Sequence, residues 1–494
     1  MPATALARWL QFAAAVFPAS IYVGTQTVAN AVLPQMQGDL LAGIDQISWV
    51  VTVGVVAGAI GIPPTSWLAA RFGRRRLVMT CMMLFGIAAV FVGLSDTLAG
   101  VIFWRAVAAF VGAPVVALSQ AVTLDTFPEE ERGMAFAFWA IGILSGWVFA
   151  PALGAYLSEL ESWRLIFFAL GPVALCGAAA ASTLRETPKN LNLLFDWFGF
   201  GALSVGLASA LLVLNRGQRL DWFESGEMVF FAALAVVSFY VFIAHTMTSQ
   251  NPFLRFGMFK DRNYALGIPL VFAYAALSLA PLVLIPTMLK GLKGLELLTT
   301  GLLLVPRGIA QILGLLVVGP LLNRVDARIW VGTGLILFSV AGFQMANYNE
   351  SIGLADVIWP NLIQGFAMAM IWVPIANLIY SNLAVELRTD ATTVVSLLYS
   401  LASSIGVAVA VVALVTTTQV NHQELAGHLV HSNEVLRGAE YAWLWRPGDV
   451  AALQTLQGLV SQQAQMVAYI NVYFGMSVAA LCVLPFVFFL RRPR

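Results

Sequence analysis

Charge is scarce in this sequence: Asp, Glu, Lys and Arg make up 10% of 494 residues, against about 25% in soluble domains. With 60% of the chain hydrophobic, most of its surface cannot face water, and lipid is the remaining solvent. Cysteine is nearly absent too. Cys81, Cys176 and Cys482 all lie inside apolar runs without metal-ligand spacing, so neither a disulfide framework nor a thiolate metal site is expected. The four histidines form no metal motif, so no metal and no cofactor is expected. A net charge of +1 provides no basic surface for nucleic acid, which is excluded as a partner.

What the sequence has is long uncharged apolar runs, such as Ile141 to Tyr156 and Val472 to Leu490. In lipid every backbone polar group needs an internal partner, which leaves helices or a closed barrel. A barrel would alternate apolar and polar residues in strands of about ten, and these runs do not alternate. The fold class is therefore an all-α membrane protein. A span takes about 20 apolar residues. Runs near 10–33, 47–70, 77–95, 98–123, 134–158, 164–183, 197–215, 227–247, 265–289, 297–322, 328–347, 355–382, 391–418 and 467–490 predict fourteen transmembrane helices. The first run follows Arg8 and exceeds the 7–15-residue core of a signal peptide, so it reads as an uncleaved span. Lys and Arg in the loops favour one side by better than two to one, which puts both termini in the cytoplasm. Residues 419–466 form a long polar outer loop, where Val450, Leu453, Leu456 and Val460 recur at helical spacing and predict short amphipathic helices. A solvated lid and a docking surface are both readings of that loop.

The chain also repeats itself. Ser66-x-Leu68-x-x-Arg71-x-x-x-Arg75 returns 253 residues later as Gly319-x-Leu321-x-x-Arg324-x-x-x-Arg328, and Gly112 meets Gly365 at the same offset. This divides the chain into a six-helix bundle over 1–183, a linker with two extra helices over 184–264, and a second six-helix bundle over 265–494. Related halves are the mark of secondary transporters, with a substrate site near the midplane between them.

Charges within spans are costly and face a cavity or a partner. Arg105 and Arg307 lie in the fourth and tenth spans, either lining a translocation path or tying neighbouring helices together. In Arg71-Phe72-Gly73-Arg74-Arg75-Arg76, the glycine permits a sharp turn and the arginines can hold facing helix ends. In the fifth span, Gly146-x-x-x-Ala150-Pro151-x-x-Gly154 combines small residues for close approach with a helix-bending proline. Candidate cavity residues are Gln26, Asn30, Arg105, Gln120, Arg307, Gln311, Gln364, Trp372 and Asn377, each with interhelical hydrogen bonding as its other reading.

These motifs, in this order, resemble the fourteen-span drug:proton antiporters of the major facilitator superfamily, represented by EmrB, FarB and QacA. The resemblance runs from Thr27-Val28-Ala29-Asn30-Ala31-Val32-Leu33-Pro34 through Trp67–Gly73, Arg105 and Ala150-Pro151 to Gly154. It continues through Asn215-Arg216-Gly217, Asp221-Trp222-Phe223 and Phe259 to Asn263, which resemble stretches around the two extra spans. Pro306-Arg307-Gly308, Trp359-Pro360 to Phe366, and Gln462 to Tyr469 are similar to the EmrB and FarB branch. The resemblance implies a major facilitator fold and export of hydrophobic or amphipathic compounds by alternating access and proton antiport. Arg71, Gly73, Arg74, Gly146, Pro151, Gly154 and Arg324 would be its conformational residues. It further implies a bacterial inner-membrane pump that contacts lipid, takes small-molecule substrates and protons, and joins a periplasmic adaptor protein and an outer-membrane channel.

The pattern breaks at the proton carrier. The first-span position where the family commonly has aspartate holds Thr25, the loop has Ala70, and the last span has Asn471. None of these titrates usefully. No Asp or Glu falls near mid-span; Asp125, which closes the fourth span, is the candidate boundary acid, while Asp390 reads as an end or loop residue. Two intramembrane arginines without an opposing acid point to anionic amphiphiles among the substrates. The competing classes are a transporter-like sensor that binds without flux and a membrane-embedded lipid enzyme.

Overall fold

The computed structural model describes residues 5–160, 162–190, 192–249, 252–295, 297–322, 324–349, 351–429 and 450–489, and all regular structure among them is helical. Its α-helices in chain order are α1 (Ala5–Asp39), α2 (Ile44–Ile47), α3 (Trp49–Gly61), α4 (Thr65–Phe72), α5 (Arg74–Leu94) and α6 (Leu98–Gly112). Next come α7 (Pro114–Thr126), α8 (Glu129–Leu160), α9 (Arg164–Ala181), α10 (Trp197–Arg216), α11 (Gly226–Thr248) and α12 (Arg262–Lys293). The chain finishes with α13 (Leu297–Leu302), α14 (Val305–Leu321), α15 (Ala327–Met345), α16 (Leu354–Tyr380), α17 (Arg388–Gly427) and α18 (Val450–Val487).

Every predicted span falls on one of these helices or on a broken pair of them. Twelve described helices are long and apolar enough to cross a membrane, and the bent pair Asp45–Gly61 with Thr65–Phe72 brings the number to thirteen. The fourteenth expected span lies on α8, which is 32 residues long. The pair is bent by 52° where Pro63 and Pro64 supply no backbone N–H. Pro114 interrupts α6 and α7 in the same way, as the first residue of the new helix.

Between helices in lipid the apolar effect gives little net drive, so close packing of small residues decides which pairs meet. Among α1–α9, α1 packs on α8, α3 on α6 and α5 on α9. Among α12–α18, α14 and α15 pack on α16, and α12 and α18 pack on α17. The two groups touch through α8 with α14 and through α7 with α17. The intervening hairpin of α10 and α11 packs on itself, and α10 also lies against both α3 and α17.

The long loop differs from expectation. Residues 430–449, with His431, lie outside the described residues. The flanking stretches are not separate short helices: α17 runs on to Gly427, and Val450, Leu453, Leu456 and Val460 belong to the opening turns of α18. Leu456 is buried there while Val450 is exposed, and Asn421 Nδ2 donates to the Ala464 carbonyl at 3.3 Å, tying the two extensions together. An amphipathic stripe that continues in phase with a helix is one element, not two.

Candidate substrate cavity and interlocked end

Between the two groups of helices lies a cavity of about 780 Å³. Tyr22 and Gln26 of α1, Arg105 of α6, Gln120 of α7 and Trp139 of α8 border it from one side. From the other side come Tyr274 and Ser278 of α12, Arg307 and Gln311 of α14, Trp372 of α16 and Tyr399 of α17. No acidic residue is among the described residues that line it.

Its two arginines are held alike. Arg105 Nη2 donates to the Thr25 carbonyl at 2.8 Å, and Arg307 Nη2 donates to the Ser278 carbonyl at 2.8 Å. Thr25 and Ser278 are equivalent in the 253-residue repeat, and each turns its hydroxyl back on its own helix, to the Tyr22 carbonyl at 2.6 Å and the Ala275 carbonyl at 2.9 Å. The arginines themselves are not equivalent. Arg307 is the repeat mate of Gly54, where an added Cβ would lie 3.6 Å from Arg105 Nε. Two helices that are not repeat mates thus bring a guanidinium to repeat-equivalent helical carbonyls. The repeat offset carried this signal, because it pairs Thr25 with Ser278.

Neither guanidinium is saturated. Arg105 Nε, Arg307 Nη1, Gln26 Nε2 and Gln120 Nε2 are buried without a hydrogen-bond partner. All four are donors, and a buried donor without an acceptor is costly. An acceptor-rich or anionic group entering the cavity meets unmet hydrogen-bonding capacity.

The walls are aromatic. Trp372 stacks on Tyr274 with centroids 5.2 Å apart and on Trp139 at 6.2 Å, with Tyr399 set edge-on at 6.1 Å. Trp139 directs its indole N–H to Ser119 Oγ at 2.9 Å. Tyr22, Trp139, Tyr274, Ser278 and Tyr399 escaped the sequence reading, since an aromatic within an apolar run looks the same whether it faces core, lipid or cavity.

Six of the nine predicted cavity residues come together: Gln26, Arg105, Gln120, Arg307, Gln311 and Trp372. The side chain of Asn30 lies outside the described set. Gln364 and Asn377 are not among the described lining residues. Gln364 is buried beside Gly365, where α16 presses against the Arg307 backbone of α14. Asn377 follows Trp372 by five residues, about 140° further round the helix.

Of the residues expected to be conformational, Gly146 and Gly154 lie at one place and Arg71, Gly73 and Arg74 at another. At the first, α1 and α8 cross closely: the nearest atom a Cβ on Gly146 would strike is the Ser20 carbonyl oxygen, and one on Gly154 would come within 3.1 Å of Val28 Cγ1. Gly142 and Gly24 extend the stripe, and Ser20 Oγ donates to the Gly142 carbonyl at 2.7 Å. The side chain of Pro151 is outside the described set.

The second is the end of the bundle that carries the arginine loop. Gly73 caps α4 with φ +86°, and its N–H reaches the Ala69 carbonyl at 3.0 Å. Arg71 lies over the Trp67 ring at 5.4 Å and donates to the Leu193 carbonyl at 3.0 Å. Arg74 Nη1 meets Asp125 Oδ2 at 2.5 Å, while Arg388 Nη1 meets Asp125 Oδ1 at 2.6 Å. Arg74 also donates to Thr389 Oγ1 at 2.8 Å. Asp125 therefore does not line the central cavity. It is a bridge, fixed by one guanidinium from α5 and one from α17, and it joins the N-terminal to the C-terminal helices. Arg324, the repeat mate of Arg71, is exposed. Asp390, expected as an end or loop residue, is buried in the first turn of α17, where it borders a cleft of about 500 Å³ with Ser66, Arg74 and Arg255.

A helical bundle of this length, with a polar-spotted aromatic cavity between repeat-related groups of helices, is the architecture of a membrane transporter. Residues 15–407 match the family model of the Major Facilitator Superfamily, and the chain belongs to that family. It is similar to the multidrug export protein EmrB of Escherichia coli (strain K12), 30% identical over 90% of this chain and 85% of that one. The fatty acid resistance protein FarB of Neisseria gonorrhoeae is 26% identical over 94% of this chain and 93% of its own. Among solved structures, the proton:xylose symporter XylE matches with TM-score 0.64 at 14% identity, covering 98% of this chain and 97% of that one. The human organic anion transporter MFSD10 matches with TM-score 0.63 at 14% identity, covering 97% and 99%. These likenesses support the all-α membrane fold expected from the sequence.

Proposed function

We propose that this protein is a multidrug efflux transporter of the bacterial inner membrane that exports amphipathic compounds, anionic ones among them. Efflux is supported by the relatives, which include a multidrug export protein and a fatty acid resistance protein. One observation carries the anionic preference: the cavity presents unpartnered donors of two buried arginines, Arg105 and Arg307, and its described lining contains no acid. An acidic head group would accept from these guanidiniums while the apolar body rests on Trp372, Tyr274 and Trp139.

The arginine-loop end is cytoplasmic, as the lysine and arginine bias requires. Held shut there by Asp125, Arg74 and Arg388, the two six-helix bundles leave the cavity to open outward. Alternating access is the rocking of those bundles about the cavity, with the α1–α8 crossing as a rigid unit. The bridge at Asp125 is the candidate coupling point, because breaking it would free the inner end. The extended α17 and α18 lie on the periplasmic side and are the docking surface for an adaptor that leads to an outer-membrane channel.

The test is transport in proteoliposomes with an imposed pH gradient, using oleate and tetraphenylphosphonium as anionic and cationic probes. Gradient-driven oleate export that falls in Arg105→Gln and Arg307→Gln supports the reading. Oleate export unchanged in both variants refutes the anionic site, and binding without flux makes the protein a sensor.

A further inference from the structure

The hairpin of α10 and α11 stands outside both repeat-related groups, yet one end of it reaches the cavity. Asn215 from the last turn of α10, and Gln218 and Trp222 from the turn that follows, border the cavity together with Val51 of α3 and Val411 of α17. Because α10 packs on both α3 and α17, it fills the seam between the N-terminal and C-terminal helices on that side. The opposite seam is closed directly, by α8 against α14.

The turn is not a slack connection. Asp221 and Trp222 both adopt left-handed backbone conformations, with φ of 54° and 51°. A bulky residue with positive φ is an outlier that its surroundings must enforce. Here the enforcement is visible. The Trp222 ring lies against Gly217, where an added Cβ would be 2.6 Å from Trp222 Cε3, and the indole N–H donates to Gln218 Oε1 at 3.1 Å. The outer flank is pinned to the second span: the Arg216 guanidinium sits over the Trp49 ring at 4.2 Å, and Arg219 pairs with Asp45 at 3.3 Å. A strained, clamped turn that presents an indole and two carboxamides to a cavity is built as a wall.

We propose that the turn Asn215–Trp222 is part of the substrate chamber, and that Trp222, with Gln218 and Asn215, selects among substrates by contact with their aromatic or apolar bodies near the outer mouth. This rests on the reading of the cavity as the transport chamber. The intervening pair of helices is then a specificity element inserted into the seam, rather than a linker.

The experiment measures binding of oleate and of tetraphenylphosphonium to the purified full-length protein, and their export from proteoliposomes, for Trp222→Ala, Trp222→Phe, Gln218→Ala and the control Phe223→Ala. Phe223 is exposed and is not among the described cavity residues. Loss of the Trp222 ring is expected to weaken tetraphenylphosphonium binding about three- to tenfold and oleate binding less, with Trp222→Phe retaining most of the affinity and Phe223→Ala unchanged. A maleimide-reactive Gln218→Cys, in a background free of Cys81, Cys176 and Cys482, should be protected by saturating tetraphenylphosphonium. Should Trp222→Ala fail to fold, Gln218→Ala and the protection measurement decide. If neither probe's affinity moves and no protection is seen, while Arg105→Gln still weakens oleate, the wall is wrong and the chamber stands. If Arg105→Gln also changes nothing, the chamber reading fails and takes this inference with it.

Discussion

A guanidinium buried in a membrane bundle is stable only where acceptors replace its water. Arg105 and Arg307 each give one nitrogen to a helical carbonyl and keep another unmatched, so each is half satisfied. Charge-assisted hydrogen bonds are worth about 1.5–3 kcal/mol, so Arg307→Gln should lower oleate affinity roughly ten- to hundredfold, measured by titration, and leave tetraphenylphosphonium affinity nearly unchanged. Both arginines were legible in the sequence because charge within an apolar run is conspicuous. Their partners were not, since backbone carbonyls leave no mark in a sequence. Gly73 makes the second residue-scale case. Its φ of +86° with ψ of 146° is a backbone conformation in which an L side chain is strained. Gly73→Ala should cost about 1–3 kcal/mol of stability, seen as a lower unfolding temperature in detergent.

At the scale of elements, the crossing of α1 and α8 depends on atoms that are absent. Ser20 and Gly24 of α1 meet Gly142, Gly146 and Ala150 of α8 with backbone nearly touching backbone. Gly146→Val should force the two helices apart. The expected outcome is protein that still inserts in the membrane but exports neither probe, checked by expression level against proteoliposome flux. Normal flux would show that the crossing need not be tight. The motif on α8 was readable from its spacing, whereas its mate on α1 was not, because a lone Gly24 among apolar residues carries no pattern. The same limit hid the role of α10: its apolar length predicted a span, and only packing placed it against α3 and α17.

For the whole molecule, the interlock around Asp125 joins one group of helices to the other, through Arg74 on one side and Arg388 on the other. Partly exposed ion pairs are individually weak, about 1 kcal/mol or less, but one carboxylate shared by two guanidiniums would bias any equilibrium in which the two groups of helices part at this end. Asp125→Asn should shift the population toward opening at the arginine-loop end. A cysteine placed at Ser66, in the adjoining cleft, should then label several-fold faster from that side. Unchanged labelling would mean that the pairs do not hold the end closed.

Composition and periodicity alone determined that the chain lives in a membrane as helices, roughly where each span lies, and which charges are out of place. These follow from local physics: the apolar run length set by the bilayer, and the cost of a charge within it. The tertiary structure decided what those charges meet. It paired Asp125 with two arginines rather than with the cavity, buried Asp390, and set the Trp222 turn into the cavity wall. Each of these depends on contacts between residues far apart in the chain, and the faces that two helices present to one another are fixed only when they pack.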